Sequence, residues 1–153
     1  MTFYYFFSNR QVKYDVCLSF KGKDTCNNFT SHLRAALYRE KIEFLISNDN
    51  NEDDETSLYR MNAIEESRIS IIIFSKGYAS SKCCMEELVQ ILECKKKYGQ
   101  AVIPIFYNVD RLGATDVLKN PEYLKQMPET QKKWFIALRE ATDLDGFNSN
   151  FFW

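Results

Sequence analysis

Ser80-Ser81-Lys82-Cys83-Cys84-Met85-Glu86-Glu87-Leu88-Val89-Gln90-Ile91-Leu92-Glu93-Cys94 follows closely on a short, nearly continuous apolar run, Ile69-Ser70-Ile71-Ile72-Ile73-Phe74-Ser75. The run reads as a strand buried on both faces, and such strands need helices on either side. In the longer stretch Cys84, Met85, Leu88, Val89, Ile91 and Leu92 recur at helical spacing, which at about 100° per residue makes one apolar stripe. Glu86, Gln90 and Glu93 project away from it. Glu87 falls just outside the stripe, so its carboxylate is expected at the edge of the buried face, partly desolvated and positioned.

Outward from this pair, strand and helix patterns alternate. Residues 12–20, 42–46 and 101–107 read as further strands. Phe29, Leu33, Ala36 and Leu37 share one face of a helix that ends near Glu40, with Asp24 or Thr25 as candidate caps. Leu58, Met61 and Ile64 suggest a short helix leading into the apolar strand. Residues 47–56 are polar and acidic without period and read as a loop. Gly99 is expected to stop the central helix, and Gly146 a last helix over 131–144 with Trp134, Phe135, Leu138 and Ala141 inward. Pro104 cannot donate to a ladder, so its strand should lie at or near an edge, or be bulged. Residues 121–128 read as irregular or a short helix, and 147–153 as a last short strand.

This alternation implies crossovers between parallel strands, hence a flavodoxin-like three-layer α/β/α fold around four to five strands. Ligands of such sheets bind outside the carboxyl ends of the strands. Residues 20–24, 47–56 and 75–83 all follow strands and share that rim, so Glu87 is expected to face a pocket assembled from distant sequence.

The 153 residues make one domain able to bury a core. A formal net charge of -1 gives no electrostatic case for nucleic acid or an anionic membrane. Five cysteines, odd in number and without a CxxC pair, suit a reducing, cytoplasmic compartment. The aromatic N-terminus has neither a basic leader nor a cleavage site, and no run approaches the roughly 20 apolar residues of a membrane span. With one histidine and no zinc-like spacing, no metal is expected; the acidic loop lacks the central glycine of a calcium loop. Gly22 is isolated and forms no phosphate-cradling motif.

Tyr14-Asp15-Val16-Cys17-Leu18-Ser19-Phe20-Lys21-Gly22-Lys23-Asp24-Thr25 resembles YDVFLSFRGEDT, the opening motif of plant Toll/interleukin-1 receptor (TIR) domains. Phe29-Thr30-Ser31-His32-Leu33 resembles the FTSHL helix that follows, and Ala63-Ile64-Glu65-Glu66-Ser67-Arg68-Ile69 the AIEESRI segment. Phe74 to Ser81 is similar to FSxxYAxS, Cys83 to Leu88 stands where the family has WCLxEL, and Val102 to Tyr107 matches VIPIFY. These matches run in order across residues 13–110, with a weaker one at Lys132 to Leu138. The resemblance implies residues 1–11 as an N-terminal extension and 12–153 as the domain, ending where the family's final helix would begin.

The resemblance further implies an immune-signalling module that self-associates and cleaves NAD at the nicotinamide–ribose bond, with NAD+ as substrate and no separate cofactor. The glutamate of WCLxEL corresponds to Glu87, the catalytic candidate. Phe20, Lys21, Gly22, Ser75 and Cys83 correspond to the substrate-binding rim, and Ser31 and His32 to a self-association patch. The chain departs from the family in several places, among them a shortened region after Asp110. Cys83 replaces a tryptophan, removing an aromatic surface; Lys21 replaces an arginine, losing a planar five-donor fork; and an acidic stretch replaces an Arg-Gly element. The lost tryptophan, the altered loop and the missing final helix support a second reading, a non-catalytic module that joins or poisons assemblies of other TIR domains. A phospho-acceptor receiver needs an aspartate at the end of the apolar strand, where Ser75 stands.

Overall fold

The computed structural model describes residues 11–22, 29–46, 54–116, 122, 125–126 and 128–149, with backbone alone for 54–57 and 130. The expected caps at Asp24 and Thr25, most of the acidic loop, most of 121–128 and the end of the last strand lie outside the described residues.

Five parallel strands form one sheet in the order β2-β1-β3-β4-β5. They are β1 Tyr14–Phe20, β2 Phe44–Ile46, β3 Ser67–Phe74, β4 Ala101–Phe106 and β5 Phe147–Asn148. The helices are α1 Phe29–Arg39, α2 Asp54–Glu65, α3 Lys82–Tyr98, α4 Arg111–Ala114 and α5 Glu129–Thr142, with a 3-10 turn at Tyr78–Ser80. This is the expected flavodoxin-like architecture. The order follows from chemistry: the longer strands β1, β3 and β4, with buried apolar residues on both faces, are each flanked on both sides, whereas the short β2 and β5 lie outermost.

The strand period of two divides the core. Val16, Leu18, Phe20, Ile73 and Ile105 pack with Leu37, Phe29 and Leu33 of α1 on one face. Cys17, Ile72, Phe74, Val102 and Phe106 pack on the other, with Met85, Leu88 and Ile91 of α3 and Phe135, Leu138 and Ala141 of α5. The sheet is therefore desolvated on both sides, which is why its strands read as nearly unbroken apolar runs.

Helix α3 is closed at both ends. Ser81 Oγ accepts from the Cys84 N–H at 3.3 Å, and Gly99, at φ 68°, ends the helix with its N–H on the Lys95 carbonyl. Lys95, Lys96 and Lys97 complement the dipole in its last turn.

Several expectations are corrected. Helix α2 begins at Asp54, inside the segment read as loop. Its buried side is Arg60, Ala63 and Ile64; Leu58 is 64% exposed and Met61 only half-buried. Gly146 does not stop α5, which closes at Asp143. A Cβ at Gly146 would lie 2.1 Å from the Pro104 carbonyl oxygen, so this glycine instead lets β5 reach β4. Pro104 is accommodated near the edge, because β5 pairs only with Ile105 and Phe106. Helix α4, capped by Asp110 Oδ1 accepting from Gly113 N–H at 2.6 Å, had no periodic signal in the sequence.

Candidate functional site

Glu87 stands in the second turn of α3, on a helix that enters from the carboxyl end of β3. It is 2% exposed, not at the edge of the buried face as its position beside the apolar stripe suggests. The reason is polar company that no stripe records. Ser19 Oγ donates to Glu87 Oε2 at 2.8 Å, and Arg60 Nη1 lies 3.2 Å from Oε1. Arg60 is itself only 5% exposed.

Ser19 reaches Glu87 because it alternates with Cys17 on the α3 face of β1. It also lies 2.8 Å from the Tyr78 hydroxyl. A serine hydroxyl has one proton, and Ser19 gives it to the carboxylate, so Tyr78 O–H is the donor to Ser19 Oγ. The result is an ordered buried chain running Tyr78, Ser19, Glu87, Arg60. Burial, with Cys84 and Glu87 nearby, pushes the Tyr78 phenol well above its ordinary range, which keeps it a donor. Cys17, beneath the same carboxylate, is pushed up to about 12, chiefly by burial and next by the Glu87 charge.

The other candidates are distributed around this chain. Cys83 is half-buried in the first turn of α3, four residues before Glu87 and so on the same helical face toward the rim. Ser75 is buried immediately after β3, its carbonyl accepting from the Tyr78 N–H at 3.3 Å. Lys21 is half-buried and Gly22 buried just past β1. Phe20 packs in the α1-side core, across the sheet from Glu87. Ser31 and His32 lie exposed on α1. Among the described residues no group of three or more His, Cys, Asp or Glu could hold a metal.

Sequence reasoning missed Arg60, Ser19 and Tyr78. Arg60 carried a usable signal, since it lies four residues before Ile64 and therefore on the inward face of α2. A cleft of about 460 Å³ lies at the carboxyl ends of β4 and β5, lined by Phe106, Asp110, Arg111 and Phe147 and away from Glu87. There Arg111 lies over the Phe106 ring at 4.9 Å and donates to the Leu144 carbonyl at 2.8 Å, which makes it a staple between α4 and the end of α5.

A family profile described as TIR domain matches residues 13–151. Disease resistance protein RPV1 of Vitis rotundifolia is 40% identical over 91% of this chain, and TMV resistance protein N of Nicotiana glutinosa 39% identical over 94%. The chain spans only 10% and 13% of those proteins. Among solved structures, the TIR domains of the activated Roq1 resistosome align with a TM-score of 0.76 at 34% identity, covering 92% of this chain and 90% of that one. The RPS4 and RRS1 TIR heterodimer shares the fold, with a TM-score of 0.52 at 21% identity over 85% of this chain and 94% of that one. The sheet order, the placement of α3 and these similarities agree, and the chain belongs to the TIR domain family, with relatives among plant disease resistance proteins.

Proposed function

We propose that this domain cleaves NAD+ at the nicotinamide–ribose bond in plant-type immune signalling, giving nicotinamide and ADP-ribose-type products, some of them cyclic, with Glu87 as the acting carboxylate. The observation that supports this reading is the environment of Glu87, a desolvated carboxylate on the helix that rises from the ligand-binding rim. In the reaction the C1′–N bond breaks with its electron pair passing to the nicotinamide nitrogen, whose positive charge is thereby cancelled. Positive charge develops on the ribose, and the Glu87 carboxylate, once turned toward the rim, stabilises it. Water or another nucleophile then adds to C1′ and gives its proton to solvent. Lys21, Gly22, Ser75 and Cys83 are the proposed substrate-binding residues, with NAD+ as the only small molecule required; Phe20, whose ring is buried on the α1 side of the sheet, could contribute there only through its backbone.

The proposed setting is cytoplasmic, with residues 12–153 as the working domain and 1–11 as an extension. Among the described residues no helix is long and apolar enough to cross a membrane. Association with other TIR domains is proposed through Ser31 and His32, consistent with the assembled TIR domains of the Roq1 resistosome.

A second reading, a non-catalytic partner in such assemblies, is favoured by one observation: both Glu87 oxygens are engaged within the protein. The test is nicotinamide release from NAD+, followed by chromatography over a protein concentration series, for the parent chain and Glu87→Gln. Glutamine keeps the shape and an acceptor for Ser19, whereas alanine loses both; each removes the counter-charge beside buried Arg60, so circular dichroism verifies folding of the variant. Release that rises faster than concentration and is lost in Glu87→Gln supports the enzyme. Equal release from the variant removes Glu87 from the mechanism, and none from the parent chain at any concentration favours the partner reading.

A further inference from the structure

We propose that Arg60 is an internal latch on Glu87: its guanidinium holds the carboxylate withdrawn into the core, and the site becomes competent only when α2 shifts and releases it. The inference deepens the NAD+ reading above and rests on it for its consequence in activity.

The geometry leads there in three steps. Arg60 and Glu87 come from different helices, α2 and α3, packed side by side. Their contact at 3.2 Å lies between side chains 6% and 2% exposed. A guanidinium stays charged in proteins, so the pair is held by a Coulomb attraction that little water screens. With Ser19 on Oε2 and Arg60 on Oε1, the carboxylate has its oxygens turned inward and spent. A group so placed cannot touch a ribose at the rim.

The two anchors differ in kind. Ser19 is fixed in β1, a sheet strand flanked by β2 and β3, and moves only if the sheet does. Arg60 rides on a helix at the edge of that core, and its side chain is long and flexible. The helical face of Glu87 leads toward half-buried Cys83 one turn nearer the rim, so a small side chain borders the route outward. Release therefore needs a shift of one helix rather than unfolding. Removing the cation has a defined result: the carboxylate, left in a dry site without its counter-charge, turns to water to recover its solvation.

The experiment reads access and activity separately, in the parent chain, Arg60→Met and Arg60→Gln. Access is measured as native labelling of carboxyl groups with a water-soluble carbodiimide and a small amine, located by peptide mass spectrometry. Glu129, whose side chain is 86% exposed, is the internal reference. Activity is nicotinamide release from NAD+, and circular dichroism verifies folding. The latch predicts slow Glu87 labelling in the parent chain and a rise of about tenfold or more, relative to Glu129, in the variants, as expected for loss of a buried partner. Nicotinamide release should rise with it.

Arg60→Gln keeps a polar side chain in place and supplies the answer if Arg60→Met does not fold. Labelling that rises while no chain releases nicotinamide keeps the latch and discards the NAD+ reading. Glu87 labelling that stays flat in a folded variant overturns the latch whatever the activity. So does parent-chain Glu87 reacting as fast as Glu129, or release that falls as access rises.

Discussion

Ser19 and Tyr78, 59 residues apart, meet at 2.8 Å in the buried core, and the serine passes that contact on to Glu87 at the same distance. One hydroxyl on a central strand thus links the turn after β3 to the acid on α3. The acid's position is set by three separate segments rather than by its own helix.

Tyr78→Phe tests that linkage. It keeps the ring, which meets Phe74 edge-on at 5.0 Å, and removes only the donor to Ser19. Because Ser19 Oγ is then left short of a partner in a dry site, the expected loss is about 1–2 kcal/mol in urea unfolding. A loss below a few tenths would mean that water enters and replaces the hydroxyl.

Gln100 is a structural residue that no motif announces. Its amide accepts from Ser70 Oγ at 3.0 Å and donates to the Ile64 and Ser67 carbonyls at 2.8 and 2.6 Å, tying the end of α2 and two neighbouring strands together. Gln100→Leu keeps the volume but strands three polar groups, so a destabilisation of about 3 kcal/mol is expected, at the upper end for single substitutions. Thermal unfolding by circular dichroism measures it, and an unchanged midpoint would remove Gln100 from this role.

Gly146→Ala should weaken the attachment of β5. The added Cβ would fall 2.6 Å from Pro104 Cγ as well as against the Pro104 carbonyl, and a backbone contact cannot swing away. Overpacking of this kind costs about 1–3 kcal/mol. The local signature is faster amide exchange at Phe147 and Asn148, with α3 unchanged.

Alkaline pH should destabilise the fold. Cys17 is raised from 9.0 to about 12 and Tyr78 well above 10.0, both mainly by burial. Between the unfolded and folded values the unfolded chain holds fewer protons, so this stability is complete below pH 9.0 and is lost as pH climbs toward 12. Urea midpoints at pH 7.5, 9 and 10.5, nominal conditions spanning about the reference thiol range, should fall only in the last interval. In parallel, among the described cysteines iodoacetamide should modify Cys83 in the native state, and buried Cys17, Cys84 and Cys94 only on unfolding. Prompt alkylation of all four would contradict the core described here.

The fold was legible because its signals are local. Ile69 to Phe74 could be recognised as a doubly covered strand from composition alone, and α3 from its stripe, its Ser81 cap and its Gly99 stop. Helix α2 was only half legible, since Leu58, Met61 and Ile64 have helical spacing yet Leu58 is exposed and Met61, packed against the core, is only half-buried. The stripe that does reach it includes an arginine, and hydrophobic periodicity discards arginine.

The sequence by itself determined the alternation of strand and helix, the parallel sheet, the family resemblance and the choice of Glu87. All of these rest on the period and identity of neighbouring residues. Only the tertiary structure decided that Glu87 lies inside rather than at the rim, because that depends on what Arg60, Ser19 and Tyr78 offer it. A carboxylate follows its counter-charge and its donors, and those came from three other segments whose meeting no single stretch of chain encodes.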